Sequence, residues 1–276
     1  WFIATEELKP RLIRNAQSVK WEPESNGKRM LDWLNNMGNW NISRKRYYGM
    51  PLPFYVCEEC GNVHVVGSID ELKSLAVDPA KVDALPELHR PWIDEVEIKC
   101  PKCGKAVKRI TDVGDVWLDA GIVPFSTTGY FTDKEEWRKN FPAEWVVEMR
   151  EQVRLWFYSL LFMSTVLEDK APYQRVLCHS SVIQENGQKF SKTGYMIRFD
   201  EAAEKIGADT VRYLYAGGPV ANDVRFGFNL GDEARRKLLG FWNIYTFFET
   251  YAKLDKPNFD GYTPDKNAMT VTDKWL

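Results

Sequence analysis

YQRVLCHSSVIQENGQKFSKTGYM, residues 173–196, holds two different kinds of chain in succession. YQRVLCHSSVI is rich in valine and leucine and is bounded by Pro172 and by the turn QENGQ, the pattern of a buried strand. QKFSKTGYM then sets Lys189 and Lys192 around Ser191 on a short segment that reaches Gly194. Lysine–serine–lysine by itself is a solvated turn. Here it lies just past a strand, and in open parallel sheets ligands sit beyond the C-terminal strand ends.

The neighbouring segments extend the pattern. DVGDVWLDAG, residues 112–121, reads as a short apolar strand before small residues, and QVRLWFYSLLFMSTVL, residues 152–167, is apolar on nearly every face, as a helix buried between layers would be. Downstream, DEAAEKIG and DTVRYLYAGG read as two short helices with aspartates at their starts and glycines at their ends. Strand, helix, strand, loop, helix is half of a doubly wound parallel sheet, so the expected class is α/β. From about residue 230 the pattern becomes one long amphipathic helix, with Leu238, Phe241, Trp242, Tyr245, Phe248 and Ala252 at spacings of threes and fours. That stripe is expected to be core, in the first helix of a separate helical domain.

Four of the five cysteines pair by spacing: Cys57 and Cys60 in CEEC, Cys100 and Cys103 in CPKC, each pair followed by glycine. Two Cys-x-x-Cys knuckles supply four thiolates for a tetrahedral zinc ion. Between them, HVVGSIDELKSLA reads as a strand and then a capping box, Ser68 at the cap and Glu71 three residues on. A four-thiolate site is closed and structural, with no open position for substrate. With so little else holding the knuckles together, the insert should depend on the ion for its fold. Cys178, alone in the predicted strand, is excluded from the site.

Composition bounds the rest. The 276 residues are 44% apolar, enough for a sizeable core, and 37 basic against 39 acidic residues leave a formal charge of -2. That balance excludes the overall basic field of a general nucleic-acid binder, so any polyanion contact is local. No apolar run has membrane-spanning length, so no membrane partner is expected. WFIATEELKPRLIRNAQ, at the start, reads as an amphipathic helix entered in mid-fold, and the final TVTDKWL opens a helix and stops, so the chain is expected to be an excised piece.

Taken together the motifs resemble the class I aminoacyl-tRNA synthetases, closest to the isoleucyl type. NWNISRKRYYGMPLPFY resembles the family's Trp-Cys-Ile-Ser-Arg-Gln-Arg-Tyr-Trp-Gly segment, and the cysteines match its zinc-ribbon insert. DVWLDAG is similar to Asp-Val-Trp-Phe-Asp-Ser-Gly, EMREQVRLWFYS to Glu-Gly-x-Asp-Gln-x-Arg-Gly-Trp-Phe, and KFSKT to Lys-Met-Ser-Lys-Ser. The resemblance implies a catalytic-domain segment at residues 1–52, a zinc ribbon at 53–112, the second half of a Rossmann-like domain at 113–229, and the start of a helical anticodon-binding domain at 230–276.

It also implies ATP-dependent activation of isoleucine, with magnesium, and transfer to tRNA, by a cytoplasmic, monomeric enzyme. Lys189 and Lys192 would be catalytic, contacting the ATP phosphates with Ser191 and His179 beside them, and Gly194 would permit the loop to hinge. Trp117 and Trp156 would line the isoleucine side chain, with Glu148, Glu151 and Gln152 holding the polar groups of the adenylate. Two unit charges in contact are worth several kcal/mol at a protein surface, and a loop that closes only around ATP applies this mainly in the transition state. Such apolar pockets separate isoleucine from valine by only about 1–3 kcal/mol, which is why these enzymes edit; no editing site is evident here.

Departures from the family pattern are Met149, Glu151, Leu155 and Ser180, and a loop one residue shorter before Tyr195. The His-Ile-Gly-His signature is absent, since the histidines are His64, His89 and His179, so this polypeptide alone is expected not to make adenylate. Two alternatives compete: a valyl- or leucyl-type synthetase, and a non-catalytic zinc-ribbon module that binds RNA or protein.

Overall fold

The structure, a computed structural model, describes residues 1–275. The chain forms two compact units, residues 1–180 and 181–276.

The first unit is built on a three-stranded parallel sheet, in the order Ala143–Met149, Tyr173–His179, Lys20–Glu22. The first two strands are joined through the helix Trp156–Glu168, a βαβ crossover. That helix is apolar nearly all round because both sides of it are covered, and Phe157, Leu160, Leu161 and Phe162 are fully buried. Its polar residues are satisfied internally: Asn15 Nδ2 donates to Thr165 Oγ1 at 3.0 Å, and Ser164 Oγ donates to the Lys170 carbonyl at 2.5 Å. Helices Lys9–Gln17 and Glu24–Asn36 bring Leu12, Met30 and Leu34 to the same core, where Trp21 meets Phe157 and Tyr173 edge to face.

Three expectations change at this level. The opening 17 residues are not one helix, since Phe2–Ile3 pairs with Trp40–Asn41 and the helix begins at Lys9, with Pro10 in its first turn. In DVGDVWLDAG the strand is only Val113–Gly114; Asp115 then caps a helix, Val116–Ser126, by accepting from Trp117 N. The strand read through residue 183 stops at His179, because its neighbour ends at Met149 and the ladder has no further partner.

The four-cysteine module lies within the first unit. Hairpins Phe54–Val56 with Val63–Val65 and Glu97–Lys99 with Ala106–Lys108 carry the knuckles at their turns. Ser68 caps the helix Ile69–Leu75 by accepting from Glu71 N at 3.1 Å, and the Glu71 carboxylate accepts from Gly67 N at 2.7 Å. Contrary to expectation the module has its own apolar core, with Tyr55, Leu72, Val82, Ile93, Val96, Ile98 and Val107 all buried.

The second unit pairs Val182–Gln184 in parallel with Val224–Phe226 and packs helices Phe199–Ile206 and Ala208–Ala216 around Ala202, Ile206, Val211 and Phe226. The helix Phe228–Asp255 follows. Its aromatic stripe is expected to be core of a helical domain that continues further, and among the described residues it is uncovered: of this helix Gly231 and Ala234 are buried, while Phe241 and Trp242 stand 72% and 60% exposed.

Candidate functional site

The C-terminal edge of the parallel sheet gathers the first group of candidate residues. In the register of the two long strands Glu148 lies opposite Cys178 and Met149 opposite His179, so Glu148 and His179 finish adjacent strands. The Glu148 carboxylate accepts from Met149 N at 3.0 Å, and His179 Nδ1 lies 2.8 Å from the Ser180 carbonyl. A 3-10 turn, Arg150–Arg154, follows the first strand. It exposes Glu151, paired with Arg150 at 3.5 Å, and turns Gln152 back so that its Oε1 accepts from Trp156 N at 3.1 Å. Gln152 thereby satisfies one of the free N–H groups at the start of the buried helix.

Trp117 and Trp156 stand near the starts of two helices that pack against each other with unusual closeness. A Cβ at Gly121 would lie 2.8 Å from the Ser159 carbonyl oxygen, so only glycine admits this approach. Beside it the Trp156 indole donates to the Ala120 carbonyl at 2.9 Å, which fixes the ring while leaving it half-exposed. A half-exposed, fixed indole is a wall suited to an aliphatic group.

Sequence reasoning missed Asp115. Besides holding Trp117 N, this buried carboxylate accepts from Trp40 Nε1 at 3.1 Å and Arg44 Nη2 at 2.8 Å, so it ties NWNISR to DVWLDAG. The available signal was an aspartate directly before an apolar helical run. Also missed was a cleft lined by Arg46, Tyr48, His89 and Asp119, in which burial raises the Asp119 carboxyl against the opposing effect of His89.

In the second unit Lys189, Ser191 and Lys192 are all exposed, and among the described residues neither lysine's ammonium group has a hydrogen-bond or ion-pair partner. Backbone contacts shape their loop: Ser191 N donates to the Tyr195 carbonyl and Gly194 N to the Ser191 carbonyl, both at 3.2 Å, while Phe190 stacks on Tyr195. The glycine in the left-handed region is Gly187, at φ 88°, in the turn before the loop, and not Gly194. Two unpaired ammonium groups on a short exposed loop can meet an anion without first breaking a contact.

The four paired cysteines converge. Their sulfur atoms lie within 4.8 Å of one another, with Cys57 to Cys103 at 3.5 Å and Cys60 to Cys100 at 3.7 Å. A tetrahedral ion with bonds of about 2.3 Å would set thiolates about 3.8 Å apart, so the set fits a metal ion. The two knuckles repeat one geometry, Gly61 N donating to the Cys57 carbonyl and Gly104 N to the Cys100 carbonyl, with both glycines at positive φ. Cys178 stays apart in its strand, where burial pushes its thiol up to about 11.

Comparison with known proteins agrees with this arrangement. The tRNA synthetases class I family (I, L, M and V) matches residues 1–227. An isoleucine–tRNA ligase of Sulfolobus acidocaldarius is 37% identical over 283 residues, covering 100% of this chain and 26% of that protein. One from Thermus thermophilus is 39% identical over 281 residues, covering 100% of this chain and 27% of that protein. The chain thus spans about a quarter of the length of the curated relatives it matches. Among solved structures, LeuRS of Agrobacterium radiobacter K84 in a ternary complex with tRNA and LeuAMS superposes with a TM-score of 0.59 at 23% identity, over 76% of this chain and 28% of that one, a likeness of fold. With a parallel α/β sheet, a four-cysteine module and a family match over residues 1–227, the chain belongs to the class I tRNA synthetases.

Proposed function

We propose that this chain is part of an isoleucine–tRNA ligase, which joins isoleucine to ATP as the aminoacyl-adenylate and then transfers it to tRNA. The likeness to isoleucine–tRNA ligases along the whole chain carries the reading. In the first step the isoleucine carboxylate attacks the α-phosphorus of ATP, a carboxyl–phosphate bond forms, and the bond to pyrophosphate breaks. In the second a hydroxyl of the tRNA 3′ end takes the acyl group and AMP leaves.

Each residue then has a physical task. Lys189 and Lys192, exposed and unpaired, meet the phosphates of ATP, which arrives as its magnesium complex, and offset the charge that builds on the leaving pyrophosphate; Ser191 adds a hydroxyl. Trp117 and Trp156 wall the aliphatic side chain, and Glu148, Glu151, Gln152 and His179 line the strand ends where the adenylate's polar groups are held. Cys57, Cys60, Cys100 and Cys103 hold one zinc ion, which supplies structure and no catalytic position. Residues 53–112 form the ribbon, 1–52 and 113–229 belong to the catalytic domain, and 230–276 begin the anticodon-binding domain. The enzyme is cytoplasmic and acts as a monomer; among the described residues no helix is long and apolar enough to cross a membrane.

The test is isoleucine-dependent ATP–pyrophosphate exchange by the full-length protein carrying Lys192→Ala. Loss of about 100-fold in kcat, the scale for removing one preorganised transition-state contact, with far-UV circular dichroism unchanged, supports the assignment. Exchange by the variant at the unsubstituted rate refutes the role of Lys192, and absence of isoleucine-dependent exchange from the unsubstituted full-length protein refutes the ligase reading and favours a zinc-ribbon binding module.

A further inference from the structure

The helix Phe228–Asp255 starts without any of the usual devices. Its cap residue, Gly227, has no side chain, and its first turn contains no acidic residue. The first N–H groups of a 28-residue helix, at the positive end of its dipole, therefore need a partner from elsewhere. Glu185 supplies it, Oε1 accepting from Leu230 N at 2.8 Å and Oε2 from Asn229 Nδ2 at 3.0 Å. The missing side chain at Gly227 makes room for that carboxylate, because a Cβ there would lie 2.3 Å from Glu185 Cδ. Gly227 is in extended backbone, φ 178°, which any residue adopts, so space alone selects glycine.

Glu185 also stands at the root of the lysine loop. Gln184 N donates to the Gln188 carbonyl at 2.8 Å, Gln184 Nε2 donates to the Lys189 carbonyl at 2.9 Å, and Ile183 bridges to Lys189 in antiparallel register. The tip of this small hairpin is Glu185 to Gly187, and Arg225 Nη1 holds it by donating to the Glu185 carbonyl at 3.0 Å. One half-buried residue is thus bonded through its side chain to the helix start and through its backbone neighbours to Lys189.

We propose that Glu185 is a positioning residue for the lysine loop: by capping the helix Phe228–Asp255 it fixes the hairpin from which Lys189 and Lys192 project. The proposal rests on the reading of those lysines as the phosphate contacts. Loosening Glu185 leaves both lysines in place chemically and spreads their positions, so it weakens an interaction made chiefly in the transition state. The loss should appear in kcat rather than in binding of isoleucine.

The experiment is isoleucine-dependent ATP–pyrophosphate exchange in the full-length protein with Glu185→Ala, Glu185→Gln, Gly227→Ala and the Glu185→Ala, Gly227→Ala double variant. Glu185→Ala should lower kcat about tenfold, the scale of one partly exposed charge-assisted hydrogen bond, with KM for isoleucine unchanged. Glu185→Gln, which keeps an acceptor for Leu230 N, should recover most of it. Gly227→Ala should reproduce the loss by expelling the carboxylate, and should add nothing to Glu185→Ala, since the group it clashes with is gone. It carries the test if Glu185→Ala does not fold. An unsubstituted protein without isoleucine-dependent exchange overturns the functional reading. An active one whose Glu185→Ala and Gly227→Ala variants keep full kcat, or whose losses add, overturns the role of Glu185.

Discussion

Replacing Gly121 by alanine tests how the fold sets the proposed isoleucine pocket. The new Cβ would lie 2.8 Å from the Ser159 carbonyl oxygen, 2.9 Å from its carbon and 3.1 Å from Met163 Cγ, and two of these three atoms are backbone. Ordinary contact starts at 3.4 Å, so the helices Val116–Ser126 and Trp156–Glu168 must part by about 0.6 Å. Overpacking of this kind costs about 1–3 kcal/mol, against a gain of about 1 kcal/mol from alanine's better helix propensity. The expected net is a loss of about 1 kcal/mol, a fall in Tm of about 2–4 °C for a unit of this size. The parting also strains the 2.9 Å bond from Trp156 Nε1 to the Ala120 carbonyl, one residue from the substitution. KM for isoleucine in pyrophosphate exchange by the full-length protein should therefore rise severalfold while KM for ATP holds. A more stable Gly121→Ala variant with unchanged KM for isoleucine would show that the close helix contact neither limits the fold nor places the tryptophan.

Three further outcomes are expected. Elemental analysis of reduced, chelator-free protein should find one zinc per chain, lost on combining Cys100→Ser with Cys103→Ser; because Leu72, Ile93 and Ile98 form a core of their own, hydrogen exchange should quicken across residues 53–112 without reaching the parallel sheet. Zinc retained in the double variant contradicts the ligand set. Asp115→Ala removes a helix cap and leaves Arg44 and the Trp40 indole without their shared acceptor, a loss of about 2–3 kcal/mol in urea unfolding, and a loss under about 0.5 kcal/mol would contradict the bridging role. The hydrogen bond from Arg11 holds the Asp169 carboxyl below the usual range and outweighs desolvation, with the charges of Arg11 and Arg14 adding to the effect. Its stabilising contribution is thus complete above the unfolded carboxylate pKa of about 3.9 and fades as pH falls through the lower folded value, so Asp169→Asn should flatten the acid branch of Tm against pH, and an unchanged branch would contradict this pairing.

What the sequence revealed depended on how local the controlling physics was. Ligand spacing within a knuckle is a property of four consecutive residues, so Cys57, Cys60, Cys100 and Cys103 were legible before any fold was known. The helix after Gln152 was legible because burial on nearly every side leaves no polar face, and the strand Tyr173–His179 because its valine- and leucine-rich run, with Val176 and Cys178 buried, is bounded by Pro172. DVWLDAG was misread because a short apolar run carries no decisive period, and the Asp115 cap that makes it helical acts through one hydrogen bond. The stripe on Phe228–Asp255 shows the limit of periodicity, which marks an apolar face without supplying what covers it. Glu185 was invisible for a different reason. A glutamate in a polar turn is ordinarily solvated, and its partner lies 45 residues away behind a glycine whose vacancy gives no signal of its own.

Pyrophosphate exchange by the full-length protein with isoleucine, valine and leucine offered in turn tests the central claim most directly. The account predicts exchange with isoleucine, weaker exchange with valine by the roughly 10–200-fold that one methylene in an apolar pocket allows, and less still with leucine. Preference for valine or leucine, or exchange independent of any of the three, would contradict it.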